Sequence, residues 1–142
     1  MYTILILDDD ASIRLLYEEE LLDEGYDVLL ENDGAEFGEL VLEKRPDLVV
    51  MDLKRGNGSI LDVLKELKKE DRRMPVLLCT PYDMSSKEAR AMGADDVVIK
   101  SSDLTELKLK IKKALKGSGE HVKHLHIANK VFSIVGDYQV DA

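Results

Sequence analysis

The stretch Thr3-Ile4-Leu5-Ile6-Leu7-Asp8-Asp9-Asp10 decides how this chain is read. Its strand-forming residues are almost continuously apolar instead of alternating, so both faces of the strand need cover, as in a parallel sheet between two helical layers. Runs of the same kind recur at 26–30, 48–51, 76–79 and 97–99. The stretches between them have helical spacing. Ile13, Leu16, Tyr17, Leu21 and Leu22 form one face, Phe37, Leu40 and Val41 a second, and Ile60, Val63, Leu64 and Leu67 a third. Leu104, Leu107, Ile111 and Leu115 mark the last helix, with Ser102 or Asp103 as its cap. A short polar helix is expected over about 85–92. Strand and helix alternating five times predict a doubly wound α/β sandwich. In such folds ligands sit outside the carboxyl ends of the strands.

Those ends carry polar residues. The first run leads into Asp8-Asp9-Asp10, the third into Asp52, the fourth into Thr80 and the fifth into Lys100. Asp10 reads as the cap of the first helix. With strands one and three adjacent, Asp8, Asp9 and Asp52 converge, and their repulsion calls for a cation. Oxygen-only ligands suit Mg2+. A carboxylate can attack phosphorus and form an acyl phosphate, and the product's oxygens can pair with the metal, the Thr80 hydroxyl and the Lys100 ammonium. Each residue alone has an ordinary structural reading; the weight lies in their coincidence at one end of one sheet.

Composition narrows the alternatives. Lys plus Arg total 20 against 29 Asp plus Glu, a formal net charge of −9, so the chain is a poor ligand for nucleic acid or anionic membrane. No apolar run approaches the roughly 20 residues of a membrane helix, and 3–7 is too short for a signal-peptide core. The single Cys79, in an apolar run, reads as a buried strand thiol and agrees with a cytoplasmic location.

At this point the chain resembles the response-regulator receiver family of bacterial two-component signalling. The resemblance rests on Ile4-Leu5-Ile6-Leu7-Asp8-Asp9-Asp10-Ala11-Ser12-Ile13-Arg14, Pro46-Asp47-Leu48-Val49-Val50-Met51-Asp52-Leu53, Pro75-Val76-Leu77-Leu78-Cys79-Thr80 and Gly93-Ala94-Asp95-Asp96-Val97-Val98-Ile99-Lys100. It covers residues 1–116. It implies a flavodoxin-like sheet of order 2-1-3-4-5, with Asp52 as phosphoacceptor and Thr80 and Lys100 contacting the phosphoryl group. It further implies Mg2+ held by Asp9, Asp8 (through water), Asp52 and the Lys54 backbone carbonyl. The implied partners are a histidine kinase or phosphotransfer protein, with a homodimer also admitted. The implied chemistry is the chain's own phosphorylation and dephosphorylation only, not turnover of a substrate.

Several positions depart from the family pattern. Gly56 and Ile60 replace its Pro and Gly after the phosphoacceptor, Ser101 replaces the Pro after the site lysine, and Val97 stands where an aromatic switch residue is common. Pro81 follows Thr80, and the interval from Thr80 to Lys100 is about two residues short. These departures make a receiver-like interaction module one rival reading. A haloacid-dehalogenase-like phosphohydrolase is the other, through Asp8-x-Asp10, Thr80 and Lys100, although it leaves Asp52 unexplained. Residues 117–142 read as a separate extension. Gly117-Ser118-Gly119 is linker-like, and 122–127 and 131–135 read as two short strands, an arm or the opening of an output domain. On such a strand His124 and His126 would share a face.

Overall fold

The computed structural model describes residues 1–31, 37–53, 60–70 and 73–130. Its elements alternate as β1 (Thr3–Leu7), α1 (Ala11–Asp23), β2 (Asp27–Glu31), α2 (Phe37–Lys44), β3 (Leu48–Asp52), α3 (Ile60–Glu70), β4 (Val76–Thr80), α4 (Ser86–Ala91), β5 (Asp96–Ile99) and α5 (Thr105–Lys130). The strands form one sheet in the order β2-β1-β3-β4-β5, with every pairing parallel. This is the expected flavodoxin-like sheet.

The continuous apolar runs have their physical reason in two cores. Leu5, Leu7, Val49, Met51, Val76, Leu78 and Val97 face one layer, where Val41 of α2, Leu64 and Leu67 of α3 and Ala89 of α4 cover them. Ile4, Ile6, Leu48, Val50, Leu77, Cys79 and Val98 face the other, under Tyr17 and Leu21 of α1 and Leu107, Ile111 and Leu115 of α5. Alternate residues serve opposite layers, so neither set can be polar. Leu22, counted with the α1 core face, is instead 51% exposed.

Two devices fix where the strands end. α1 and α4 both stop at a glycine with positive φ, Gly25 at 94° and Gly93 at 104°, a conformation that lacks steric cost only without a Cβ. After Gly93, the Asp95 carboxylate accepts hydrogen bonds from the Val76 N–H (2.7 Å) and Lys68 Nζ (2.8 Å), tying the start of β5 to the start of β4. The register that follows, Thr80 opposite Ile99, sets Lys100 at the rim beside Thr80. α4 spans six residues, held by a capping box in which Ser85 and Glu88 bond each other's backbone N–H.

The carboxyl-terminal expectation is corrected. α5 runs without a break through Gly117, Ser118 and Gly119 to Lys130, so 122–127 is helix and not strand. Each glycine costs about 1 kcal/mol relative to alanine, but an established helix gains one hydrogen bond per added residue with no new nucleation cost. A lone pair of short strands has no such support. The expected strand that was to carry His124 and His126 is therefore helical backbone. The second expected strand, 131–135, lies outside the described residues.

Candidate functional site

The site is built at the carboxyl rim of β1, β3, β4 and β5. Asp8 follows β1 and is 2% exposed, Asp52 ends β3 at 5%, and Thr80 ends β4 at 0%. Lys100 follows β5, its backbone N–H donating to the Thr80 carbonyl at 2.6 Å. Its ammonium lies 3.0 Å from Asp8 Oδ2 and 3.2 Å from Asp52 Oδ1, bridging the two buried carboxylates. Burial alone would lower the lysine's pKa. The hydrogen bonds to Asp8 and Asp52 outweigh it, and the pKa is raised above the ordinary 10.5. A raised lysine pKa stabilises the fold fully at neutral pH; that contribution is lost only as pH climbs through the raised value.

The turn after β1 is organised by its own side chains. Asp8 Oδ1 accepts from the Asp10 N–H (2.9 Å), and Asp10 Oδ1 accepts from the N–H groups of Ser12 (2.8 Å) and Ile13 (3.3 Å) as the cap of α1. Asp10 is thereby committed to the helix, which removes the second acid that a phosphohydrolase reading needs. Arg14 Nη1 donates to the Asp8 carbonyl at 2.7 Å. Thr80 Oγ1 accepts from the Tyr82 N–H at 3.0 Å, and a hydroxyl used as an acceptor keeps its proton to donate elsewhere.

Of the residues expected to gather here, the structure joins Asp8, Asp52 and Lys100 directly and sets Thr80 beside Lys100 through the backbone. Asp9 is exposed. Among the described residues no three acids, histidines or cysteines sit as a metal-holding group. Lys54 and Gly56 lie outside the described residues. Val97 is buried at 3% exposure in the core layer beneath α4, and no described peptide bond is cis, Lys100–Ser101 included. Arg14 had no role in the sequence reading; its only signal was a cation four residues after three acids. The donor chemistry nonetheless fits Mg2+. Asp8 and Asp52 are hard oxygen donors on neighbouring strands, joined through one ammonium that neutralises only one of their two charges, with Asp9 next in the chain.

Beneath the rim, Cys79 Sγ lies 3.9 Å from the buried Tyr17 hydroxyl. Burial pushes the thiol's pKa up to about 12, partly opposed by the Tyr17 hydrogen bond and the Lys100 charge. With almost no thiolate at neutral pH, Cys79 is expected to resist an aromatic disulfide reagent in the native state and to react fully in denaturant. Native labelling at the denatured rate would contradict this burial.

The response regulator receiver domain model matches residues 4–112, most of the chain and every element of this site. The chain belongs to the response regulator receiver domain family. Among relatives of this receiver, sporulation initiation phosphotransferase F of Bacillus subtilis (strain 168) is 34% identical over 115 residues, covering 79% of the chain and 92% of that protein. Regulatory protein AtoC of Escherichia coli (strain K12) is 33% identical over 129 residues, 88% of the chain but 28% of AtoC. Four curated relatives are spanned over only 26% to 58% of their length. The solved response regulator TrrA from Thermotoga maritima, in complex with Mg(2+)-BeF, superposes with a TM-score of 0.73 at 35% identity, covering 81% of this chain and 100% of that one. The receiver is a phospho-accepting module that relays a two-component signal. Among the described residues no helix is long and apolar enough to cross a membrane.

Proposed function

We propose that Asp52 is the phosphoacceptor, that Thr80 and Lys100 receive the phosphoryl group, and that Asp8, Asp9, Asp52 and the Lys54 carbonyl hold Mg2+. The observation that carries this reading is Lys100 bonded to both Asp8 and Asp52, two buried carboxylates at the rim of adjacent strands. Bound Mg2+ would supply positive charge against the phosphoryl oxygens. An Asp52 oxygen attacks phosphorus as the bond to the donor's leaving group breaks, giving an acyl phosphate. The Lys100 ammonium shifts from carboxylate to phosphoryl oxygen, and the Thr80 hydroxyl donates to another. Hydrolysis of the acyl phosphate resets the site. The chain acts on itself and turns over no other substrate.

The donor is a histidine kinase or phosphotransfer protein, or a small phosphodonor, in the cytoplasm. Residues 1–116 perform this chemistry, and 117–142 extend from it. Relay to a partner or a second copy runs through the β4–α4 segment, where Thr80 already holds Tyr82, because Val97 offers no aromatic to exchange positions. Incubating the chain with acetyl phosphate and Mg2+ is expected to give one acid-labile phosphoryl adduct per molecule by intact mass, absent when Mg2+ is chelated. No adduct under these conditions would sink the proposal.

A further inference from the structure

Arg14 makes a contact at the acidic turn that the chemistry above does not use. It sits in the first turns of α1, partly buried, and its guanidinium is spent on a backbone carbonyl instead of a carboxylate. That allocation stands out beside three aspartates, since a guanidinium ordinarily bonds a carboxylate more strongly than a neutral carbonyl. The bond closes a ring. Asp8 holds the Asp10 N–H, Asp10 holds the start of α1, and Arg14, rooted in α1, reaches back to the Asp8 carbonyl. The peptide between Asp8 and Asp9 begins with that carbonyl, so the ring clamps the backbone that carries Asp9.

We propose that Arg14 is a positioning residue for cation binding: by fixing the Asp8 carbonyl it sets the backbone from which Asp8 and Asp9 approach a divalent ion. This rests on the reading of those acids as the Mg2+ ligands. Two effects of the guanidinium oppose each other. Its charge repels a dication, whereas its hydrogen bond preorganises the donors. A partner that orients a metal ligand typically contributes 10–100-fold in affinity. The charge lies on the carbonyl side of the turn and partly in solvent, where repulsion is damped. Positioning therefore wins.

The test is Mg2+ titration of the full chain by calorimetry, and by the rise in Tm with Mg2+, for wild type, Arg14→Gln and Arg14→Lys. Arg14→Gln is expected to bind Mg2+ about tenfold more weakly, with a correspondingly smaller Mg2+-induced rise in Tm. Arg14→Lys, which keeps the charge and a donor, should recover part of the affinity. Phosphorylation of Arg14→Gln by acetyl phosphate should return to the wild-type rate at saturating Mg2+, which a merely structural defect would not allow. Unchanged or tighter Mg2+ binding by Arg14→Gln, with wild type binding normally, would overturn the role of Arg14 alone. If wild type itself binds no Mg2+, the assignment of the acids fails first. Should Arg14→Gln not fold, the Arg14→Lys comparison decides: weaker Mg2+ binding with the charge retained supports positioning by the guanidinium, and affinity equal to wild type would overturn it.

Discussion

Asp52→Asn is expected to abolish the acid-labile adduct while leaving a folded receiver. Asparagine keeps the shape of the side chain at the end of β3, where Asp52 is 5% exposed, but its amide oxygen is uncharged and a poor nucleophile. Lys100 retains Asp8 at 3.0 Å, so the variant leaves no buried charge without an opposite. The fold should survive with a stability change of about 1 kcal/mol or less in either direction, since a like-charge contact and an ion pair are removed together. Intact mass after incubation with acetyl phosphate and Mg2+ reads the loss, and circular dichroism reads the fold. An adduct of wild-type yield on the Asp52→Asn chain would move the phosphoacceptor to another acid.

Lys100→Met should be the most destabilising change at the rim. It leaves Asp8 and Asp52, both nearly inaccessible, facing each other without the ammonium that bonds each of them. Removing one partner from a buried ionic group costs about 3–5 kcal/mol, because the remaining charge keeps its desolvation penalty and loses its compensation. Urea unfolding should show this as a lower midpoint at unchanged slope. Adding Asp8→Asn to Lys100→Met should recover much of the loss, by removing the repulsion that the first change exposed. Equal midpoints for wild type and Lys100→Met would mean that the bridge carries no stability.

The parts of this molecule legible in its sequence are those that many residues specify at once. Each strand is announced by three or four consecutive apolar positions because both layers need cover, and the rim acids stand out because a polar residue after such a run is exposed to no core. What the sequence left open has single causes. Asp8 and Asp9 adjoin in the chain, but successive residues leaving a strand take opposite sides, so one is buried against Lys100 and the other is exposed. The β-branched residues near 122–127 suggested strands, yet the helix already under way at Thr105 decided their backbone. Arg14 was invisible because its partner is a carbonyl, a group every residue possesses.

The strand order has a consequence for how this receiver assembles. β1 pairs on both sides, with β2 and with β3, and even the bond that seats its first residue, Thr3 N–H to Asp47 Oδ2, spans 44 positions. Closing loops of that length must precede the contacts that reward it, so nothing local can nucleate the rim. The first strand of the sheet waits for later ones, and the bridge from Lys100 to Asp8 and Asp52 forms only once the last strand is in place. With Asp52 and Lys100 in the roles proposed above, competence to take up phosphate becomes a proofreading of complete folding.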